Sequence, residues 1–195
     1  MRPGLYRRAV LFLPLLAAAC GDDEPVRGPS RRDFPPLRYG YLPPIPLNVQ
    51  RIEMAEDFVR PAGEDELTDA TAAETIFAMA RDRLKPMTAN GTGMFRILTA
   101  SVALRRDMLT GVLAVRLDLH NDNDSNTGFV EARVTATKTG SIGNRRAAAY
   151  DMLKTLMDEL NVELEFQIRS KLRGWIFEPP MQTPSPPPTA PGPRS

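Results

Sequence analysis

The chain has 195 residues, 42% of them hydrophobic and 25% charged, which suits one folded domain of ordinary size rather than a disordered polymer. Its 25 Lys and Arg against 24 Asp and Glu give a formal charge of +1, which excludes the concentrated basic surface of a nucleic-acid binder. One cysteine and one histidine exclude an intramolecular disulfide and a multi-histidine metal site, so the fold must hold by packing, and no metal or cofactor is expected.

Residues 1–8, MRPGLYRR, form a basic start, and residues 9–19, AVLFLPLLAAA, form an apolar run that closes on small side chains. That is the layout of a secretory signal, and the run is too short to span a bilayer, which takes about 20 residues in a helix. Pro14 inside it argues the same way. The segment Leu16, Ala17, Ala18, Ala19, Cys20 resembles a bacterial lipobox, with Ala17 standing where the commonest lipobox has leucine. The resemblance implies cleavage before Cys20 and acylation of that residue, including palmitate-type chains, each contributing about 0.8 kcal/mol per buried CH₂ to membrane anchoring. It also implies a place on the periplasmic side of the envelope. Gly21, rather than Asp, follows the cysteine, which by the same resemblance favours the outer membrane over the inner. Removal of Arg2, Arg7 and Arg8 lowers the 25 basic residues to 22 against 24 acidic ones.

Residues 20–46 read as the anchor and a tether dense in Pro, Gly and charge, with Tyr39, Tyr41 and Leu42 able to dock onto the folded domain. That domain is expected over residues 47–177. Residues 47–54, LNVQRIEM, alternate well enough for a first strand. Thr71 and Glu74 form a capping-box pattern, and Ala73, Ile76, Phe77, Ala80 and Leu84 recur at helical spacing, which predicts a helix over 71–85. Pro86 and TANGTG (88–93) stop it. Residues 94–105 place Leu98, Ala100, Val102 and Leu104 on one side of a strand. Residues 112–120 put Leu113, Val115, Leu117 and Leu119 inward, with Arg116, Asp118 and His120 outward. Residues 129–138 put Val130, Ala132, Val134 and Ala136 inward, with Glu131, Arg133 and Thr135 outward. One apolar and one polar face per strand is the mark of an antiparallel sheet covered on one side only. RDMLTG and NDNDSNTG suit the turns between these strands. From Arg145 an apolar stripe at helical spacing runs through Ala149, Leu153, Leu156, Leu160, Leu164, Ile168 and Leu172 to Trp175. NVELEFQI (161–168) also alternates as a strand would, but nothing breaks the helix there, and one long helix is favoured. The order β-α-β-β-β-α predicts an α+β two-layer sandwich: a four-stranded, mainly antiparallel sheet with two helices on one face. Residues 178–195 form a second Pro-rich end, read as a disordered tail.

Few residues mark a chemistry. Asp122, Asp124 and Asn126 open like a calcium loop, but Thr127 stands in the glycine position and Arg133 where the closing Glu belongs, so a polar hairpin turn is the better reading. His120 has no marked nucleophile around it. TANGTG lacks the lysine of a phosphate loop. Glu159, Glu163 and Glu165, followed by Arg169, Lys171 and Arg173, suit the dipole of a solvated helix. Trp175, Ile176 and Phe177 read as a core cap, with a partner contact as the alternative. No catalytic residue is expected, and the protein reads as a non-enzyme.

Signal, tether and element order together resemble the small periplasmic lipoproteins of Gram-negative envelopes, above all the LPS-assembly lipoprotein (LptE) type, and more loosely the accessory lipoproteins of lipid-transporting ABC systems. The stretch from Tyr150 to Trp175 also resembles an uncharacterised alphaproteobacterial lipoprotein group. The resemblance implies a lipid-anchored, non-enzymatic binding or assembly module whose partners are the membrane, through Cys20, and an envelope protein or amphiphile. The outward sheet residues Arg116, Asp118, Glu131, Arg133 and Thr135 are the candidate contact surface. An ABC-system accessory and a periplasmic hydrolase are the alternatives.

Overall fold

A computed structural model describes residues 34–58, 70–122 and 125–179. The signal, Cys20, Asp124 and the tail from residue 180 lie outside the described residues.

Among the described residues, three short strands, three long strands and two helices follow one another as β1 (Ile45–Leu47), β2 (Arg51–Glu56), α1 (Ala72–Arg83), β3 (Leu84–Pro86), β4 (Thr92–Arg105), β5 (Met108–His120), β6 (Thr127–Thr139) and α2 (Arg145–Lys171), with one 3₁₀ turn at Arg173–Trp175. Strands β2, β4, β5 and β6 form one sheet in that order, β2 parallel to β4 and the other two pairings antiparallel. The fold is the expected α+β arrangement, an open mixed sheet with two helices and no closed barrel.

The first strand expected over 47–54 is two strands. Residues 48–50 turn between them, and β1 pairs in parallel with β3 in a separate two-stranded ribbon. Leu47 before that turn and Val49 within it are both buried. Alternation alone therefore bridged a corner of the chain. The same ribbon ends α1 early: Leu84 leaves the helical region, with φ −85° and ψ 116°, and starts β3.

Helix α1 begins at the predicted box. Glu74 N–H donates to Thr71 Oγ1 at 3.1 Å, and Thr71 N–H donates back to Glu74 Oε2 at 2.9 Å, which satisfies two donors the helix start would otherwise leave open. Its buried side carries Ala73, Ile76, Met79 and Ala80. Helix α2 runs unbroken through NVELEFQI, and burial settles the period. Leu160, Leu164 and Ile168 are buried, whereas Val162 and Phe166, which a strand would place on the same side as Leu164, are 68% and 62% exposed. The two helices and the inward sheet residues Phe95, Ile97, Leu113, Val115, Leu117, Leu119, Val130 and Ala132 share one core.

A bulge between Ile97 and Thr99 shifts the register of β4 on β5. Phe95 and Ile97 face the core before it, Ala100 and Val102 after it, and Leu98 is only half-buried. The expected inward set of Leu98, Ala100, Val102 and Leu104 is thus corrected at Leu98, where the period slips by one residue. The β4–β5 connection is also tighter than RDMLTG suggested: β5 starts at Met108, and Arg106 turns the chain with φ 55°.

The second half of the tether packs on the domain. Tyr39 is buried, its N–H donating to Asp82 Oδ2 at 3.1 Å, and Tyr150 Oη donates to the Pro35 carbonyl at 2.9 Å. The ring of Phe34 lies 5.3 Å from that of Tyr150. Tyr41 remains 74% exposed. Burial first, and the Asp158 carboxylate next, push the Tyr39 phenol well above its ordinary 10.0. Burial and then Asp151 raise Tyr150 as well. A phenol whose folded pKa is raised contributes its full stability below the unfolded value and loses it as pH climbs beyond. The melting temperature is therefore expected to fall above about pH 10 as the unfolded chain ionises first. Tyr39→Phe should make that fall shallower, and an unchanged alkaline slope would contradict the burial of this phenol.

Candidate functional site

Both helices cover the same face of the sheet, so the opposite face is open among the described residues. Register places its side chains in rows across the strands. Ala55, Arg96, Arg116 and Glu131 make one row, and Glu53, Met94, Asp118 and Phe129 the next. Arg51, Thr92, His120 and Thr127 close the end near the β5–β6 turn.

Arg116 holds the centre of this face. Its Nε donates to Asp118 Oδ1 at 2.8 Å and its Nη1 to Glu131 Oε1 at 2.9 Å. The guanidinium also sits 4.1 Å from the centroid of the Phe129 ring, a cation–π distance. The hydrogen bond to Asp118, first, and that to Glu131 hold Arg116 still more firmly protonated than usual. Arg96 approaches Asp118 Oδ2 only to 3.7 Å, and that oxygen has no hydrogen-bond partner among the described residues although it is buried. A shallow concavity of about 310 Å³ lies here, lined by Arg96, Arg116, Asp118, His120, Thr127 and Phe129.

Of the five residues expected on this surface, the structure brings Arg116, Asp118 and Glu131 into one ion-paired cluster. Arg133 and Thr135 lie on the same face, opposite Ala114 and Val112, and are exposed. Arg96 and Phe129 belong to the cluster and were not singled out from sequence. Strict alternation read back from Leu98 turns Arg96 inward, and the bulge is what turns it outward. Phe129 could have been found, because its neighbour Val130 fixes it outward, leaving it 55% exposed.

The loop after His120 is tied as a turn. Asn126 N–H donates to Asn121 Oδ1 at 3.1 Å, and Asn121 Nδ2 donates to Ser125 Oγ at 3.0 Å. Asp122 Oδ1 accepts from Gly91 N–H at 2.8 Å. Among the described residues no group of three His, Cys, Asp or Glu could hold a metal ion.

Glu165 departs from the solvated acidic face expected for α2. It pairs with Arg83, a side chain 2% exposed at the end of α1, and with Arg169 at 2.8 Å. Trp175 is buried over β6, and Ile176 bridges to Leu47, so this end serves the core. No described helix is long and apolar enough to cross a membrane.

No protein-family model and no curated protein matches the chain. Among solved structures, the PelC dodecamer from Paraburkholderia phytofirmans is similar at 15% identity and a TM-score of 0.27, covering 60% of this chain and 92% of that one. A candidate lipoprotein from Caulobacter crescentus is similar at 13% identity and a TM-score of 0.31, covering 59% of this chain and 85% of that one.

Proposed function

We propose that the protein is a lipid-anchored lipoprotein of the cell envelope, held by acyl chains on Cys20 on the periplasmic side of the outer membrane, and that it acts as a non-enzymatic docking module. The anchor reading rests on the position of the chain's single cysteine, where a basic start and an apolar run end. The observation that carries the docking role is the open sheet face, where Arg116, Asp118 and Glu131 are held in fixed geometry beside the exposed ring of Phe129. Charges locked by pairing along β5 and across to β6 lose little entropy on binding, and arginine and aromatic side chains are common anchors in protein interfaces. The partner is an outer-membrane protein or an amphiphile with its own mixed charge. An accessory role in a lipid-transporting ABC system would use the same face from the inner membrane. A hydrolase would have to work through His120, whose cross-strand neighbours are Thr92 and Thr127.

The test is metabolic labelling with radioactive palmitate, followed by membrane fractionation, on the natural chain and on Cys20→Ser. The natural chain should take the label and sediment with outer membranes, and Cys20→Ser should remain unlabelled and soluble. Equal fractionation of an unlabelled natural chain would refute the anchor. Crosslinking from gently solubilised envelopes then reports on the face: a partner recovered with the natural chain should be lost with Arg116→Glu.

A further inference from the structure

The sheet has a long free edge. Among the described residues nothing pairs with the outer side of β6, a 13-residue strand, although its inner side pairs with β5 along its whole length. Edges of this length present a row of unmet N–H and C=O groups and are normally blunted by charge, proline, bulges or a covering element. β6 has no proline and no bulge. Its own register with a second copy is selective.

In an antiparallel pair, residues facing each other point to the same side of the sheet, so a two-fold axis must lie midway between the two copies of one residue of β6. With the axis at Glu131 the two glutamates oppose each other, and with it at Arg133 the two arginines do. Like charges directly opposite are destabilising. With the axis at Ala132, Glu131 of each copy faces Arg133 of the other, Phe129 faces Thr135, and Thr127 faces Thr137. On the core side of the sheet Val130 meets Val134, and Ala132 meets itself. Opposite charge, aromatic against β-branched, and Thr against Thr are the favourable cross-strand combinations. Arg133, Glu131, Thr135, Thr137 and Phe129 are all exposed, and among the described residues no ion pair holds Arg133.

The neighbouring helix offers the same partner an apolar contact. A groove of about 450 Å³ beside this edge is lined by Arg133 and Val134 of β6 and by Asp158, Glu159, Val162 and Glu163 of α2. Val162 is exposed there, with Phe166 one turn further along, an apolar pair on an otherwise polar helix side.

We propose that two copies of this chain join through β6, antiparallel and centred on Ala132, forming one eight-stranded sheet whose open face displays the Arg116 cluster twice. This does not depend on the lipid anchor or on the docking role of that face.

Sedimentation velocity of the full chain in mild detergent tests it. The natural chain should sediment at twice the chain mass. Glu131→Arg and Arg133→Glu should each raise the dissociation constant at least about tenfold, because each puts like charges opposite each other twice. The double variant, which exchanges the two charges, should restore the dimer. Melting temperature checks that each variant is folded. A monomeric natural chain, or a dimer that both single variants leave unchanged, overturns the proposal. So does a double variant that is folded and monomeric, since it would show that charge matching in this register is not what joins the copies.

Discussion

Replacing Glu165 with alanine is expected to destabilise the domain by about 3 kcal/mol, read as a lowered urea midpoint with an unchanged denaturant slope. The reason lies on the other helix. Arg83 ends α1 with its side chain turned into the space between the helices. There Nη1 donates to Asn161 Oδ1 at 2.9 Å and Nη2 pairs with Glu165, one turn further along α2. Nε has no partner among the described residues. With only 2% of the side chain exposed, the guanidinium has no water to fall back on when its counter-charge is removed. Truncating one member of a buried pair costs about 3–5 kcal/mol, because it strands the other charge rather than merely losing an attraction. The lower end applies here because Glu165 is 31% exposed, so solvent already screens part of the pair.

The opposite truncation is expected to be milder. Arg83→Met keeps the stem's packing and removes the charge. It leaves Glu165 with Arg169 and solvent, and Asn161 with one unmet acceptor, for a cost of about 1 kcal/mol. The double variant Arg83→Met with Glu165→Gln should be no less stable than Arg83→Met alone. Equal losses for the two single substitutions would contradict this, because the asymmetry follows only if the buried charge is the costly element.

This pair also marks where sequence reasoning fell short. Glu165 lies in an acidic run followed by basic residues, and i,i+4 spacing to Arg169 gave it a sufficient surface explanation. Nothing local distinguishes a glutamate that also reaches across to another helix. Arg83 sits on the predicted apolar stripe of α1, three residues after Ala80, and that position was the available signal. Elements with a strong period were legible throughout: the Thr71 box, the polar and apolar sides of β5 and β6, and the length of α2. Features that depend on pairing were not. The corner at residues 48–50 exists because β1 has Leu84–Pro86 to pair with, and the bulge at Ile97 exists because β4 must match β5 while keeping both its halves on the core. Each breaks an alternation that looks continuous in one dimension. The open face was therefore predicted from β5 and β6, whose alternation is unbroken, and was missing the contribution of β4.

Gly91 is a second place where a single substitution should reach the fold and the candidate face together. Its place in TANGTG makes it part of a helix stop, but its role is closer to a knot. Its N–H donates to Asp122 Oδ1 at 2.8 Å, and its carbonyl accepts from Gln50 N–H at 2.9 Å, tying the corner after β1 to the turn after β5. Its φ is +86°, and a Cβ there would lie 2.9 Å from the His120 carbonyl oxygen and 3.7 Å from that of Asn48. The left-handed backbone alone costs a residue with a side chain about 1–2 kcal/mol. The close atom is backbone at the end of a strand paired on both sides, so it cannot swing away as a side chain would. Gly91→Ala is accordingly expected to cost about 3 kcal/mol in total. Gly140→Ala is the comparison: φ there is +107°, but nothing lies within 4 Å of the added carbon. It should therefore show the backbone strain without the collision. Amide chemical shifts separate the two further. Gly91→Ala should displace the signals of His120, Asn121 and Asp122, and through Asp118 those of Arg116, whereas Gly140→Ala should leave that end of the sheet untouched. If the two variants cost the same, the corner yields more easily than its paired carbonyl suggests, and the rim of the candidate face is softer than its hydrogen bonds imply.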